Sequence, residues 1–312
     1  MTKSNHFRNV IYLTLTAVIW GVSFVFQSMG NDHMGALSFT SARYLLGGLV
    51  LLPVVLVKAR HPRFLADPGE IPVKQVPVKL TIAGGILCGL ALCTATVFQQ
   101  FGMKTTSVGK TGFITAFYII LTPIFGLFIG KKCHFTVWIG AAASLFGLYL
   151  LCITDGFSLA WGDLLVMLCA VVFTFHIMLV DYIAPRTNGV LLACIQFFVA
   201  AVISGIPALI FEHPTLAQLV DCSIPILYMG VMSSGVAYTL QILGQRGFNP
   251  SIAAMIMSME AVVSALAGAA AYALGMLSQD QSMTAVQVLG CVIMFAAVIF
   301  VQLPFDKLKR RH

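Results

Sequence analysis

Residues 10–29 read VIYLTLTAVIWGVSFVFQSM. No Asp, Glu, Lys or Arg interrupts this run. At 1.5 Å per residue, a helix of about 20 residues covers about 30 Å, the hydrocarbon thickness of a bilayer. Working outward from it, nine more segments qualify: Leu37–Val57, Leu80–Gly102, Val108–Gly130, Phe135–Ile153, Leu164–Ile183, Val190–Phe211, Ile224–Gln245, Ser251–Leu277 and Met283–Leu303. The reading is an all-α polytopic membrane protein with ten transmembrane helices. Composition agrees, with 59% hydrophobic and 9% charged residues and a mean hydropathy of +0.95. A soluble domain carries roughly 25% charged residues, so a chain this poor in charge needs lipid as its solvent. The first run is long enough to span and reads as an anchor, not a cleaved leader.

The basic residues set the orientation. With the N-terminus inside, the cytoplasmic side collects Lys3, Arg8, Lys58, Arg60, Arg63, Lys74, Lys79, Lys131, Lys132, Arg186, Arg246, Lys307, Lys309, Arg310 and Arg311. Only Lys104 falls in an external loop, while Asp32, Asp155, Asp163, Glu212, Asp221 and Asp280 fall outside. This bias predicts cytoplasmic N- and C-termini in the cell membrane. It also accounts for the net charge of +7 without nucleic acid. The eight cysteines form no C-x-x-C pair and read as small apolar residues.

The chain reads as two repeats, 1–153 and 154–312, the second ending in a basic tail. Arg43-Tyr44-Leu45 falls at the place of Gln196-Phe197-Phe198, Phe101-Gly102-Met103-Lys104 at that of Leu243-Gly244-Gln245-Arg246, and Trp138-Ile139-Gly140 at that of Val288-Leu289-Gly290. Five spans per repeat is an odd number, so the second repeat is inverted. Inverted repeats offer two nearly equal conformations, open to opposite sides.

These segments resemble the EamA-type proteins of the drug/metabolite transporter superfamily. The resemblance rests on Ala17-Val18-Ile19-Trp20-Gly21 with Phe24, Ser41-Ala42-Arg43-Tyr44-Leu45-Leu46, and the stretch from Ser107 to Pro123. It extends through Trp161-Gly162-Asp163-Leu164-Leu165 and from Pro250-Ser251-Ile252-Ala253-Ala254 to Glu260-Ala261-Val262-Val263. It covers almost the whole chain and implies ten helices in two inverted five-helix repeats, moving small metabolites, amino acids or toxic organic compounds, usually outward. Where the family often has proline after the glutamate, this chain has Ala261.

Polar residues inside spans are the candidate substrate-binding groups, since an Arg, Lys or Asp at mid-helix costs roughly 2.5–3.5 kcal/mol. Glu260 lies near the middle of the ninth span and Arg43 in the outer half of the second. Either they pair with each other, or they face the substrate. Trp20, Ser23 and Gln27 share one face of the first span, and Tyr238, Gln241 and Gln245 share one face of the eighth. Gln99 stands outward on the third. Tyr118 matches the repeat position of Glu260, and His176 that of Ser23. A lone histidine here reads first as a packed bundle residue. Lys110, near a span end, reads as reaching the interface. Pro123 frees the carbonyl of Ile119 and predicts a kink one turn below Tyr118. Gly85/Gly89, Gly126/Gly130 and Ser264/Gly268 read as close helix contacts. The cavity is expected between spans one to four and six to nine, with five and ten peripheral.

No complete glycine-rich phosphate loop and no H-E-x-x-H motif occurs, so nucleotide-driven pumping within the chain is not expected. The leading reading is a secondary transporter exporting a small organic metabolite, amino-acid-like, or a xenobiotic. An intramembrane enzyme and a lipid-handling or scaffold protein are the alternatives. Neither cofactor nor metal is expected. The expected partners are a small-molecule substrate, the bilayer and protons as a coupling ion, with oligomeric state open. The charge bias makes one prediction. Cysteines placed at Asp32 or Asp280 are labelled by an impermeant thiol reagent from outside, and cysteines at Lys131 or Lys309 only from the cytoplasm. The reverse pattern refutes the orientation.

Overall fold

The computed structural model describes residues 3–64, 70–131, 135–152, 160–277 and 282–302. Asp155, Asp280, Lys132, Lys307, Lys309, Arg310 and Arg311 lie outside the described residues, as do Ile153 and Leu303 at the ends of two expected spans.

Every regular element among the described residues is helical. In chain order they are α1 Lys3–His33, α2 Ala36–Arg60, α3 Val78–Gly102, α4 Val108–Thr115, α5 Tyr118–Phe128, α6 Phe135–Cys152, α7 Trp161–Ile183 and α8 Gly189–Phe211. Then follow the short α9 Leu216–Asp221, α10 Ser223–Leu227, a π-helical stretch Tyr228–Tyr238, α11 Thr239–Gln245, α12 Pro250–Met257, α13 Glu260–Ala273 and α14 Ala285–Gln302. Eight segments are long and apolar enough to cross a membrane: α1, α2, α3, α4–α5, α7, α8, α10–α11 and α12–α13. The remaining apolar helices, α6 and α14, are shorter. Large apolar side chains point outward along the bundle, among them Leu45, Leu49, Val202, Ile206, Leu209 and Phe295. Such a surface suits lipid and not water.

Two of the spans are broken, and in the same way. In each, backbone bonding tightens from the i−4 to the i−3 carbonyl. Phe117 N donates to Ile114 O (3.2 Å) and Ile119 N to Ala116 O (3.0 Å). In the second half, Met259 N donates to Ile256 O (3.2 Å) and Ala261 N to Ser258 O (3.0 Å). The breaks put Tyr118 and Glu260 at the heads of α5 and α13. The pieces before them are also equivalent. Both α4 and α12 have 8 residues, and Ser107 and Asn249 cap them with their side chains. A break thus stands just before Tyr118, while Pro123, the expected source of a kink, lies inside α5. Proline is not the cause of the break, because α12–α13 breaks identically with Ala261 and no proline beyond Pro250.

Helix contacts come in matched pairs. α1 packs on α10, the π-helical stretch and α11, as α7 packs on α3. α1 also meets α12 and α13, as α7 meets α4 and α5. α2 meets the π-helical stretch as α8 meets α3, while α2 packs along α8 and α6 along α14. Close approach needs glycine at some crossings. A Cβ on Gly89 would stand 2.8 Å from Gln196 O, so α3 and α8 touch there. Gly126 and Gly130 serve no such contact. Nothing lies within 4 Å of a Cβ on Gly130, whose φ of +74° ends α5 instead.

Polar ties fasten the helix ends. Lys110, expected to reach the interface, has a partner in the first turn of α7. Its Nζ stands 2.7 Å from Asp163 Oδ2, and Thr106 Oγ1 donates to Asp163 Oδ1 (3.0 Å). Gly109-Lys110-Thr111 repeats the last three positions of a phosphate loop. Lys104 stands where that loop needs its first glycine, and the tripeptide here merely opens α4. Lys131 at the end of α5 pairs with Asp181 on α7. Elsewhere Lys58 pairs with Glu70 (2.9 Å), whose other oxygen accepts from Asn188 Nδ2 (2.8 Å) at the head of α8. Glu212, just past α8, caps α2. Its carboxylate accepts from Leu37 N (3.0 Å), Ser38 N (2.7 Å) and Ser38 Oγ (2.7 Å). Two unmatched N–H groups at a helix start destabilise by about 1–2 kcal/mol. Glu212→Ala is therefore expected to lower the thermal unfolding temperature in detergent by several degrees, while Glu212→Gln loses less. An unchanged melting curve for the alanine variant shows that the cap contributes nothing.

Candidate substrate cavity

The broken helices meet at the head of a narrow polar cavity. Tyr118 OH donates to Glu260 Oε1 (2.9 Å), joining two residues 142 positions apart. The same offset relates α4 to α12, from 108 to 250 and from 115 to 257. Equivalent positions of the two halves thus touch each other.

A narrow cavity of about 20 Å³, room for about one water, lies beside this pair. Trp20, Ser23, Phe24 and Gln27 line it from α1, Arg43 from α2 and Gln99 from α3. Thr115 and Tyr118 come from α4–α5, Phe173 and Ile177 from α7, Ser233 and Tyr238 from the π-helical stretch, and Glu260 from α13. Eight of the ten residues singled out from sequence therefore gather here. α6 and α14 contribute none, and neither does α8. α8 turns Phe197 against the ring of Tyr44 instead (centroids 5.6 Å apart), within the apolar core.

Each lining group is held by its neighbours. The indole of Trp20 packs against Tyr238 (4.6 Å between centroids) and Phe173 (6.2 Å). Its Nε1 has no acceptor among the described residues. Ser23 Oγ donates to Trp20 O (2.6 Å), and Gln99 Nε2 to Thr115 Oγ1 (3.0 Å). Gln27 Oε1 is unmet. Arg43 is 2% exposed. Its Nη2 donates to Tyr44 OH (2.9 Å), its guanidinium lies over the Tyr44 ring (4.7 Å), and its Nε has no partner among the described residues. Among the described residues no ion pair joins Arg43 to Glu260. The alternative in which these two neutralise each other is not the arrangement seen. The guanidinium rests on an aromatic face, and the carboxyl takes a phenol.

His176 and Gln241 lie elsewhere. His176 is fully buried, with Nε2 3.2 Å from Gln196 Oε1 and its ring edge-on to Tyr238 (6.1 Å). Gln241 is equally buried, and neither of its amide atoms has a partner. The lining residues beyond the ten divide by their signal. Thr115 stands three positions before Tyr118, one helical turn away. Phe173 is the repeat counterpart of Trp20 in the register that pairs Ser23 with His176. Ser233 enters because of the π-helical stretch, which no pattern in the sequence announces.

The arrangement offers a cation with a free N–H for an anionic group, a carboxyl for a cationic or hydrogen-bonding group, and aromatic faces for an apolar body. An archaeal protein named an uncharacterized transporter, from Archaeoglobus fulgidus, is 27% identical over 292 residues, covering 93% of this chain and 84% of its own length. The uncharacterized inner membrane transporter YedA of Escherichia coli is 22% identical over 255 residues, covering 80% of this chain and 78% of its own. One solved crystal structure matches 99% of both chains with a TM-score of 0.73 at 16% identity, a likeness of fold. The model of the EamA-like transporter family matches residues 8–153 and again 160–303. Matched across both halves, this multi-pass membrane protein belongs to the EamA-like transporter family.

Proposed function

We propose that this protein is a secondary transporter that exports a small organic solute, amino-acid-like or xenobiotic, by alternating access. The observation that carries the reading is the Tyr118–Glu260 hydrogen bond between equivalent helix breaks, at the head of a cavity that also holds Arg43. A substrate bound between two like halves can be exposed to either side by a rocking of one against the other. Supporting this are the paired helix contacts, the recurring 142-residue offset and the double match of the family model. The two halves, 1–153 and 154–312, then form inverted five-helix repeats. α6 and α14 have 18 residues each, about 27 Å at helical rise, and complete ten spans. Both termini lie in the cytoplasm.

Arg43 receives the carboxylate of the solute, and the aromatic rings hold its body. Glu260 has no cationic partner among the described residues, so it is the site at which a proton or the solute's ammonium group exchanges. In liposomes without nucleotide, a panel of labelled amino acids and aromatic cations identifies the transported class. Arg43→Gln is expected to lower kcat/KM for a carboxylate-bearing solute by about tenfold or more, equivalent to about 1.4 kcal/mol. Glu260→Gln is expected to fold normally and to lose the pH dependence of transport. Tyr118→Phe keeps transport but shifts that pH profile, since it removes the partner of the carboxyl and nothing else. If Glu260→Gln leaves rate and pH profile unchanged, Glu260 has no part in coupling.

A further inference from the structure

Among the buried polar side chains outside the cavity, four lie toward one end of the bundle. Gln241 and Gln245 sit one turn apart on α11, and all four of their amide atoms lack partners among the described residues. His176 Nδ1 and Gln196 Nε2 are also unmatched, although the two residues hold each other through their remaining atoms. All four side chains are fully buried. Orphaned amides inside a bundle are costly, so they call for water, a solute or a second arrangement of the helices.

Their positions say which. Gln241 follows Gln99 by the same 142 residues that relate Tyr118 to Glu260. His176 follows Ser23 by 153, and Gln196 follows Arg43 by 153. These three counterparts line the cavity, while Gln245 falls at the place of Met103, in an apolar cluster, and joins the set as the neighbour of Gln241 one turn on. In sequence, all four residues fall in the half of their spans nearer the loops of Lys79, Arg186 and Arg246, the side read as cytoplasmic.

We infer that His176, Gln196, Gln241 and Gln245 form a second half-site, now shut, which opens to the cytoplasm and receives the same small polar solute. The inference rests on the alternating-access reading and adds the residues of its other state. The two half-sites differ in charge. Where the half-site of Ser23 and Gln99 has the guanidinium of Arg43, this one has the amide of Gln196. The inner half-site therefore meets the solute with neutral hydrogen-bonding groups, and Glu260, at the joint of the two halves, serves both.

The test uses an impermeant methanethiosulfonate reagent on membrane vesicles of either orientation, read above the labelling of the parent protein. Gln241→Cys is expected to label only from the cytoplasmic face, and Gln99→Cys only from the opposite face. In the double variant, modification from one side is expected to slow labelling from the other by at least about fivefold, because one state is held open at the expense of the other. Gln245→Cys, nearer the helix end, repeats the measurement if Gln241→Cys folds poorly. Labelling of Gln241→Cys from the outer face, no labelling of either inner variant, or labelling from both sides without mutual slowing overturns the inference. The last outcome means a static water-filled crevice. Transport by the parent protein is measured separately. Mutual slowing without transport leaves the half-site standing and removes the transport reading, and transport without slowing does the reverse.

Discussion

A polar group inside this bundle has no water to fall back on, and that constraint organises the rest. The outer surface is apolar, and lipid tails are as apolar as the leucines that face them, so helix association gains little from hydrophobic burial. What remains is close packing and satisfied polar contact. The Tyr118–Glu260 bond is where the constraint acts hardest. It joins the two halves at the point where each has an interrupted helix, with both residues buried. Glu260 also heads α13, where the helix dipole favours a carboxylate. Arg43 meets the same demand differently, through Tyr44 hydroxyl and ring.

The ends of the helices obey the same rule in a wetter setting. Asp163, Glu212 and Glu70 each bind the start of one helix, or the loop before it, to another. Asp163 takes Lys110, Thr106 and the backbone of Ala160, tying α4 and the loop before it to α7. The Lys58, Glu70 and Asp163 side chains are only 3%, 4% and 1% exposed, so these ties hold the helix ends firmly.

Much of this was legible in the sequence, and the failures have a common origin. Hydropathy located the eight segments long and apolar enough to cross a membrane, because helix length is dictated by bilayer thickness, while α6 and α14, two of the ten expected spans, are shorter. Repeat register paired Tyr118 with Glu260, and these two residues are joined by a hydrogen bond. Depth along a helix, however, is not azimuth. Arg43 and Glu260 are plausible partners by depth, yet they face different neighbours. Lys110 near a span end looks free to snorkel until Asp163 is found across the contact. Backbone irregularity was the least legible. Pro123 drew attention to the wrong turn, because the break is written in the i−3 bonding at Ala116 and Ser258, residues that carry no helix-breaking signature. The π-helical stretch Tyr228–Tyr238 has no counterpart in the regular α3, so repeat logic pointed away from it.

That last departure from symmetry bears on direction. Two identical halves would make the two open states equal in energy, and a transporter so built would have no preferred resting side. Here the halves differ where it matters. One carries Arg43, Gln99 and Ser23, and the other carries Gln196, Gln241 and His176 at the same places. With the first set open, a guanidinium has access to a hydrated cavity while the second set is shut with its amides unmatched. With the second set open, those amides are hydrated, but the guanidinium must be enclosed. Burying a charge costs more than burying an amide. The asymmetry therefore favours the state with the first set open. Under the proposed mechanism, a solute or proton arriving from the other side has to supply the difference by neutralising what the closing half encloses. Arg43 and Glu260 are the charged groups in the cavity lining able to receive that compensation.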